Sequence, residues 1–180
     1  MMIKAIIVFT ILFTMDSLLV VFFPIRPIFG EYIVVPYLLL ISICLYPFYD
    51  KKNSAPWLAF VFGLIYDIYG TNLVGLYATM FPIIVILIKK NIVPVTPVNF
   101  VSIFYVSTVA ILAVETIIYL LVMIITTRSM SIFAFIQHRL VITLIFNNIL
   151  LAIVYLPLVK FFRSKEEKGV KTIMMDNTSA

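Results

Sequence analysis

Short charged pairs and prolines divide the chain into six apolar runs, and this division limits the folds that it can adopt. A helix that crosses a bilayer needs about 20 apolar residues. Only 12% of the residues are charged and 64% are hydrophobic, whereas soluble domains have about 25% and about 45–50% respectively. A surface with so little charge must face lipid rather than water. We therefore predict an all-α, polytopic membrane protein.

We predict that these runs form one transmembrane domain, residues 1–163, built as a six-helix bundle. The first run follows a lysine, as in a signal peptide, but no small-residue cleavage site comes after it, so we interpret it as a retained span. The polar tail, residues 164–180, lacks apolar periodicity and is predicted to be disordered in the cytoplasm. The six predicted spans cover about residues 3–23, 32–49, 56–69, 72–88, 99–127 and 140–162.

The third and fourth runs allow two arrangements, a single long helix or a tight hairpin. The sequence between them, YGTNLVG, is typical of a turn. Gly70 can adopt a positive φ, and Thr71 or Asn72 can cap the following helix. One continuous helix would be about 50 Å long at the usual rise per residue, which exceeds the hydrocarbon core of about 30 Å. Its length therefore favours the hairpin.

The distribution of basic residues favours the hairpin as well. With six spans and a cytoplasmic N-terminus, ten basic residues lie inside and three lie outside, as the positive-inside rule requires. We therefore predict that both termini are cytoplasmic, and we interpret the basic character as membrane orientation rather than nucleic-acid binding. The predicted inner residues are Lys4, Lys51, Lys52, Lys89, Lys90, Lys160, Arg163, Lys165, Lys168 and Lys171, and the outer ones are Arg26, Arg128 and Arg139.

A few acidic and amide side chains interrupt the apolar runs, and in the predicted topology all of them lie in the outer half of the bilayer. They are Asp16, Asp67, Glu115, Asn147 and Asn148. An ionised side chain at the bilayer centre costs about 2.5–3.5 kcal/mol. Asp16, Glu115 and Asn147 could form a polar cluster, in a pocket or partner site that opens outward. Alternatively, the carboxylates reach the interface from helix ends, or apolar surroundings keep them protonated.

The sequence contains no pattern that points to catalysis or to a metal site. It has one histidine and one cysteine, so a zinc site of His and Cys ligands cannot be completed. Nucleophile-elbow, Walker, HExxH and dinucleotide motifs are absent. We therefore expect no cofactor, no metal and no enzymatic activity. Cys44, inside an apolar run, is expected to behave as a small apolar side chain.

One block, GLIYDIYGTNLVG at residues 63–75, combines an acid with three glycines. Gly63 precedes Asp67 by four residues, so both lie on one helix face, where a small residue lets another helix approach closely. This block, the six short spans and the closing LLAIVYLPLVKFFR resemble the MreD family of rod shape-determining proteins. In that resemblance Gly63, Asp67, Gly70 and Gly75 fall on the family's block, as a partner or packing site.

The resemblance implies a bacterial inner-membrane protein of the cell-elongation machinery that acts without catalysis by binding MreC. Through that complex it would influence the glycosyltransferase RodA and its penicillin-binding transpeptidase, and connect to the MreB filament. It also implies a bundle like the substrate-binding S-components of ECF transporters. A transporter subunit of that kind is the alternative function, because Asp16, Asp67 and Glu115 could line a small-molecule pocket. A membrane enzyme acting on a lipid-linked substrate fits worst, because the loops show no acid–base pair.

Overall fold

A computed structural model describes residues 2–22, 33–71, 75–125 and 131–163, and within these ranges every regular element is helical. The all-α prediction is therefore confirmed. Three π-helical turns, Asp67–Thr71, Ile88–Ile92 and Ile136–Leu140, extend or join the α-helices. The α-helices are α1 (Met2–Phe22), α2 (Leu38–Leu45), α3 (Ala55–Tyr66), α4 (Leu76–Leu87), α5 (Phe100–Ile125), α6 (Ile132–Phe135) and α7 (Val141–Phe162).

Three helices in the described ranges are long and apolar enough to cross a membrane. They are Met2–Val21 within α1, Phe100–Ile125, and the continuous helix Ile132–Phe162 that joins α6 to α7. Two further apolar helices, Leu38–Phe48 and Ala55–Tyr69, are shorter. The chain therefore has the elements of a membrane protein. The predicted tail, residues 164–180, lies outside the described residues.

The short helix α2 lies at the centre of the core, and all of its residues are buried. Its sequence, LLLISICL, is apolar on every side, which is typical of a helix surrounded by other helices. α1, α4, α5 and α7 pack around it. Cys44 is fully buried within this helix, where its thiol occupies the place of a small apolar group.

α3 and α4 pack against each other and run antiparallel. Asp50, just before α3, forms an ion pair with Lys89 just after α4, with 3.0 Å between Oδ2 and Nζ. Near the end of α3, against the first turn of α4, a Cβ atom on Gly63 would lie only 2.5 Å from the backbone carbonyl oxygen of Tyr77. The absence of a side chain at Gly63 therefore sets how closely the two helices approach.

The connection between these two helices uses different residues from those predicted. The positive φ, +109°, belongs to Gly75, whereas Gly70 lies inside the π-helical turn Asp67–Thr71. The start of α4 is capped by the side chain of Asp67, and the predicted cap Asn72 lies outside the described residues. A carboxylate on the preceding helix can accept several backbone N–H groups at once, which a single threonine or asparagine in the turn cannot.

The bundle has a basic end, which we define by the cations that lie there. Tyr46 and Tyr49 at the end of α2 contact the ring of Phe162, with centroids 5.5 and 5.9 Å apart. Lys4 Nζ donates to the carbonyl of Phe161 at 3.4 Å. The start of α1 and the ends of α2 and α7 therefore meet, beside the Asp50–Lys89 pair. The described cations of this basic end are Lys4, Lys51, Lys52, Lys89, Lys90, Lys160 and Arg163.

Candidate functional site

Asp16 on α1 caps the N-terminus of α2 at the opposite, polar end of the bundle. Its carboxylate oxygens accept hydrogen bonds from Leu38 N at 2.8 Å and Leu39 N at 2.9 Å. The first turn of a helix has N–H groups without intrahelical partners, and the helix dipole favours negative charge there. Asp16 is only 1% exposed, so the interpretation in which its carboxylate reaches the interface does not hold.

Asp67 performs the same task for α4. It is fully buried and accepts hydrogen bonds from Gly75 N at 2.9 Å, Tyr77 N at 2.8 Å and Ala78 N at 3.0 Å. Gly63 lies one turn earlier against the same start of α4. The block from Gly63 to Gly75 thus joins α3 to α4, and this geometry supports its interpretation as a packing site within the chain.

Asp50 caps the third short helix, at the basic end. Its carboxylate accepts hydrogen bonds from Ala55 N at 2.8 Å and Ser54 Oγ at 2.9 Å, and pairs with Lys89. Burial by itself raises the pKa of this carboxyl, but the hydrogen bonds from Ala55 and Ser54 and the Lys89 ammonium outweigh it, so the pKa lies below its usual value. Three short helices are therefore each started by an aspartate.

A non-helical segment, residues 33–37, leads into α2, and side chains from other helices bond to its backbone. Asn147 on α7 donates to Val35 O at 2.7 Å and accepts from Tyr37 N at 2.7 Å. The hydroxyl of Tyr66 donates to the carbonyl of Pro36 at 3.5 Å. Non-helical backbone at membrane depth is tolerated only where protein groups satisfy it. Asn147 is therefore needed to fix the path of the chain into α2.

Glu115 on α5 is fully buried and is held by a cation and a hydroxyl. Arg139 Nε lies 2.6 Å from Glu115 Oε2, and Tyr37 Oη donates to Oε1 at 2.7 Å. The Tyr37 hydroxyl also lies 3.3 Å from that of Tyr77. The sequence places Arg139 on the same, outer side as the acids but does not pair it with Glu115, and it does not single out Tyr37. The signal was the buried acid itself, because an intramembrane carboxylate needs a nearby partner.

The structure thus brings Asp16, Glu115 and Asn147 to one place, the start of α2, although they do not bond one another. Asp16 holds Leu38 and Leu39, Asn147 holds Tyr37, and Glu115 is joined to Tyr37 through its hydroxyl. We call this set the start-of-α2 network; its members are Asp16, Tyr37, Glu115, Arg139 and Asn147. Asp67 belongs to the neighbouring start of α4 instead.

A cavity of about 460 Å³ lies beside this network, within the range of about 300–1,000 Å³ typical of ligand pockets. Its buried floor includes Asp16, Tyr66 and Tyr77, while the rim residues Val21 and Tyr69 are 73% and 78% exposed. Glu115 and Asp67 do not line it. Among the described residues, Phe13, Ser17, Val20, Val35, Ile118 and Arg139 also line it. Across the ranges that the structure covers, no group of three or more His, Cys, Asp or Glu residues could hold a metal ion.

Comparison with known proteins gives one family. The model of the family described as rod shape-determining protein MreD matches residues 2–165, which is nearly the whole chain. Neither the curated proteins nor the solved structures give a significant match. The all-helical fold and the three membrane-length helices agree with a membrane protein that determines cell shape. The chain belongs to the MreD family of rod shape-determining proteins.

Proposed function

We propose that this chain is a non-catalytic component of the bacterial cell-elongation (rod) complex in the cytoplasmic (inner) membrane, where it binds MreC. In this way it helps to control cell shape and peripheral peptidoglycan synthesis. Its links to RodA, the penicillin-binding transpeptidase and MreB are indirect, through that complex. The observation that carries the proposal is the family match over residues 2–165.

The use of the acidic side chains supports a role without catalysis. General acid–base catalysis needs a titratable side chain, most often histidine, aspartate or glutamate, within hydrogen-bond reach of a substrate. Asp67 and Glu115 do not line the cavity and are engaged by backbone N–H groups and by Arg139. Asp16 lines it, but both of its carboxylate oxygens accept from backbone N–H groups. These acids stabilise the fold, which suits a protein that acts by presenting a surface to partners.

We further propose that the chain forms six membrane-spanning helices with both termini in the cytoplasm, in a bundle like that of ECF S-components. The gathering of seven described cations at the basic end supports this orientation, because cytoplasmic loops are enriched in lysine and arginine. In a Cys44→Ala background, a cysteine at Asn72 should react with an impermeant maleimide in intact cells. One at Asn91, which is exposed, should react only after permeabilisation; the reverse pattern would overturn this topology.

Depletion of the protein tests the proposed function directly. We expect rod-shaped cells to round up, or ovoid cells to stop elongating, and incorporation of fluorescent D-amino acids into the peripheral wall to fall. Photo-crosslinkers placed at exposed helix positions should capture MreC in membranes. Unchanged shape and wall labelling after complete depletion, together with no crosslink to MreC, would contradict the proposal.

A second candidate is a small-molecule-binding subunit of an ECF-type transporter, and the cavity of about 460 Å³ is the observation that favours it. The two candidate functions predict different neighbouring genes and different co-purifying proteins. A gene beside an MreC homologue and co-purification with MreC fit the elongation complex. Neighbouring genes for an ATPase pair, and co-purification with those ATPases, fit the transporter subunit.

A further inference from the structure

We propose that the cavity at the polar end binds an uncharged aromatic ligand that carries a hydrogen-bond acceptor such as an amide, with Arg139 as its polar contact. The proposal goes beyond the function above and does not depend on MreC binding. The same chemistry occurs in a free small molecule and in an aromatic residue of a peptide. The experiment below separates these two sources.

The walls of the cavity favour a flat ring. Phe13 packs edge-on against Tyr66 and Tyr69, with ring centroids 6.0 and 6.1 Å apart, and Tyr66 lies 4.6 Å from Tyr77. All four rings line the same space. Aromatic rings gain about 0.5–1.5 kcal/mol per pair beyond their buried area when they meet edge-on or offset. A ligand ring entering this space extends an existing set of such pairs.

The charges around the cavity favour a neutral polar group on the ligand. The positive charge of Arg139 is already balanced by Glu115. The carboxyl group of Asp16 already accepts hydrogen bonds from two N–H groups at the positive end of the α2 dipole. An anionic ligand would have to displace Glu115 from Arg139 or stay unpaired, and a cationic ligand would place a second positive charge beside Arg139.

Arg139 nevertheless retains hydrogen-bonding capacity toward the cavity. A guanidinium has five N–H donors, and within the described residues two hydrogen bonds from Arg139 are seen, both to Glu115. Its side chain is 26% exposed and lines the cavity. An amide carbonyl on the ligand can accept from the remaining donors without bringing charge. Tyr66 and Tyr77 line the same cavity.

The test uses three tryptophan derivatives of different charge: N-acetyltryptophanamide, which is neutral; N-acetyltryptophan, an anion with a carboxylate in place of the primary amide; and tryptophanamide, a cation with a free amine in place of the acetylated one. Each is titrated against the purified full chain in phosphatidylcholine nanodiscs, with empty nanodiscs as the control for partitioning into lipid. Saturation-transfer NMR reports binding. We expect the neutral probe to bind at least fivefold more tightly than either charged probe. Equal or tighter binding of the anion, or no binding above empty nanodiscs, would overturn the proposal.

Two pairs of variants show whether the probe occupies this cavity. Val21→Trp fills the entrance and should weaken binding of the neutral probe at least tenfold, whereas Val101→Trp on α5, at a residue 72% exposed, should leave it unchanged. Tyr69→Ala removes one wall and should weaken binding about fivefold, from the loss of one aromatic pair. Its control is Tyr105→Ala, at a residue 67% exposed. Equal effects in both members of each pair would place the probe elsewhere and refute the site.

To distinguish a free molecule from a partner side chain, the neutral probe is titrated in the same way against the chain co-purified with MreC. Loss of probe binding in the complex assigns the cavity to an aromatic side chain of the partner. Retained binding assigns it to a free molecule. Because the chain alone is titrated first, failure of MreC binding and failure of the cavity proposal give different results.

Discussion

Replacement of Asp67 tests whether a buried acid in this chain acts as a helix cap. Its carboxylate accepts three backbone N–H groups at 2.8–3.0 Å at the start of α4. Each buried donor left without a partner costs about 1–3 kcal/mol, and loss of a cap typically costs about 1 kcal/mol. Asp67→Leu leaves all three donors without the carboxylate, so we expect a loss of about 4 kcal/mol. Asp67→Asn keeps one carbonyl oxygen and should lose about 1–2 kcal/mol.

The single cysteine provides the assay. Cys44 is fully buried in α2, so a thiol-reactive fluorophore reports unfolding of the purified protein during heating. At about 2–4 °C per kcal/mol for a chain of this size, the midpoint should fall by about 12 °C for Leu and about 5 °C for Asn. Ile68→Leu, at the next residue and 56% exposed, serves as the control and should shift it little. If Asn destabilises as strongly as Leu while the protein remains folded, charge itself is required and the capping explanation is wrong.

Three further predictions follow from the same contacts. Gly63→Ala should destabilise the protein by about 2 kcal/mol or more in the same thermal assay, because the new Cβ would meet the backbone of Tyr77 and Ala78. A stabilising effect would contradict the close approach of α3 and α4. Arg139→Gln should cost about 3–5 kcal/mol, since it leaves the fully buried Glu115 carboxylate without its cation. Glu115→Gln should cost less, because the side chain of Arg139 is 26% exposed and solvent screens its charge. The double variant should cost less than the sum, and simple additivity would contradict the pairing. Asp50 has a lowered pKa, so its stabilisation is present above the unfolded-state pKa and is lost as pH falls through the folded-state value. Asp50→Asn should therefore flatten the acid limb of the stability profile, and an unchanged limb would refute the assignment.

The helical class could be predicted because it depends on composition alone: a chain with few charges and long apolar runs has to satisfy its backbone internally. The details of the α3–α4 connection could not. Both Gly70 and Gly75 are able to adopt a positive φ, and the turn-like sequence favours Gly70. In the structure Gly75 adopts the positive φ, because its N–H donates to the Asp67 carboxylate, which fixes the first turn of α4. That contact spans eight residues and has no local signature.

The acidic and amide residues of the start-of-α2 network could be predicted from the sequence, but the residues that they contact could not. Asp16, Glu115 and Asn147 are conspicuous in apolar runs, so the sequence marks them. The groups to which each of them bonds depend on which helices pack together, and the sequence does not show this. Tyr37 is one of ten tyrosines and has no feature that distinguishes it, yet it connects Asn147 to Glu115. Arg139 lies 24 residues after Glu115, a spacing that only the packing of α5 against α7 explains.

The lengths of the helices explain why this chain keeps its acids where it does. The first turn of any helix leaves four N–H groups without intrahelical partners. In α2, with eight residues, those groups are half of the total, and its start is buried between other helices where water cannot satisfy them. The same holds for the start of α4, whose first N–H groups are bonded to a fully buried carboxylate. Short buried helices therefore require acids from elsewhere. Since Asp16 is engaged in this way, the described cavity residue that retains unused N–H donors is Arg139, and the proposed recognition at this end of the molecule depends on it.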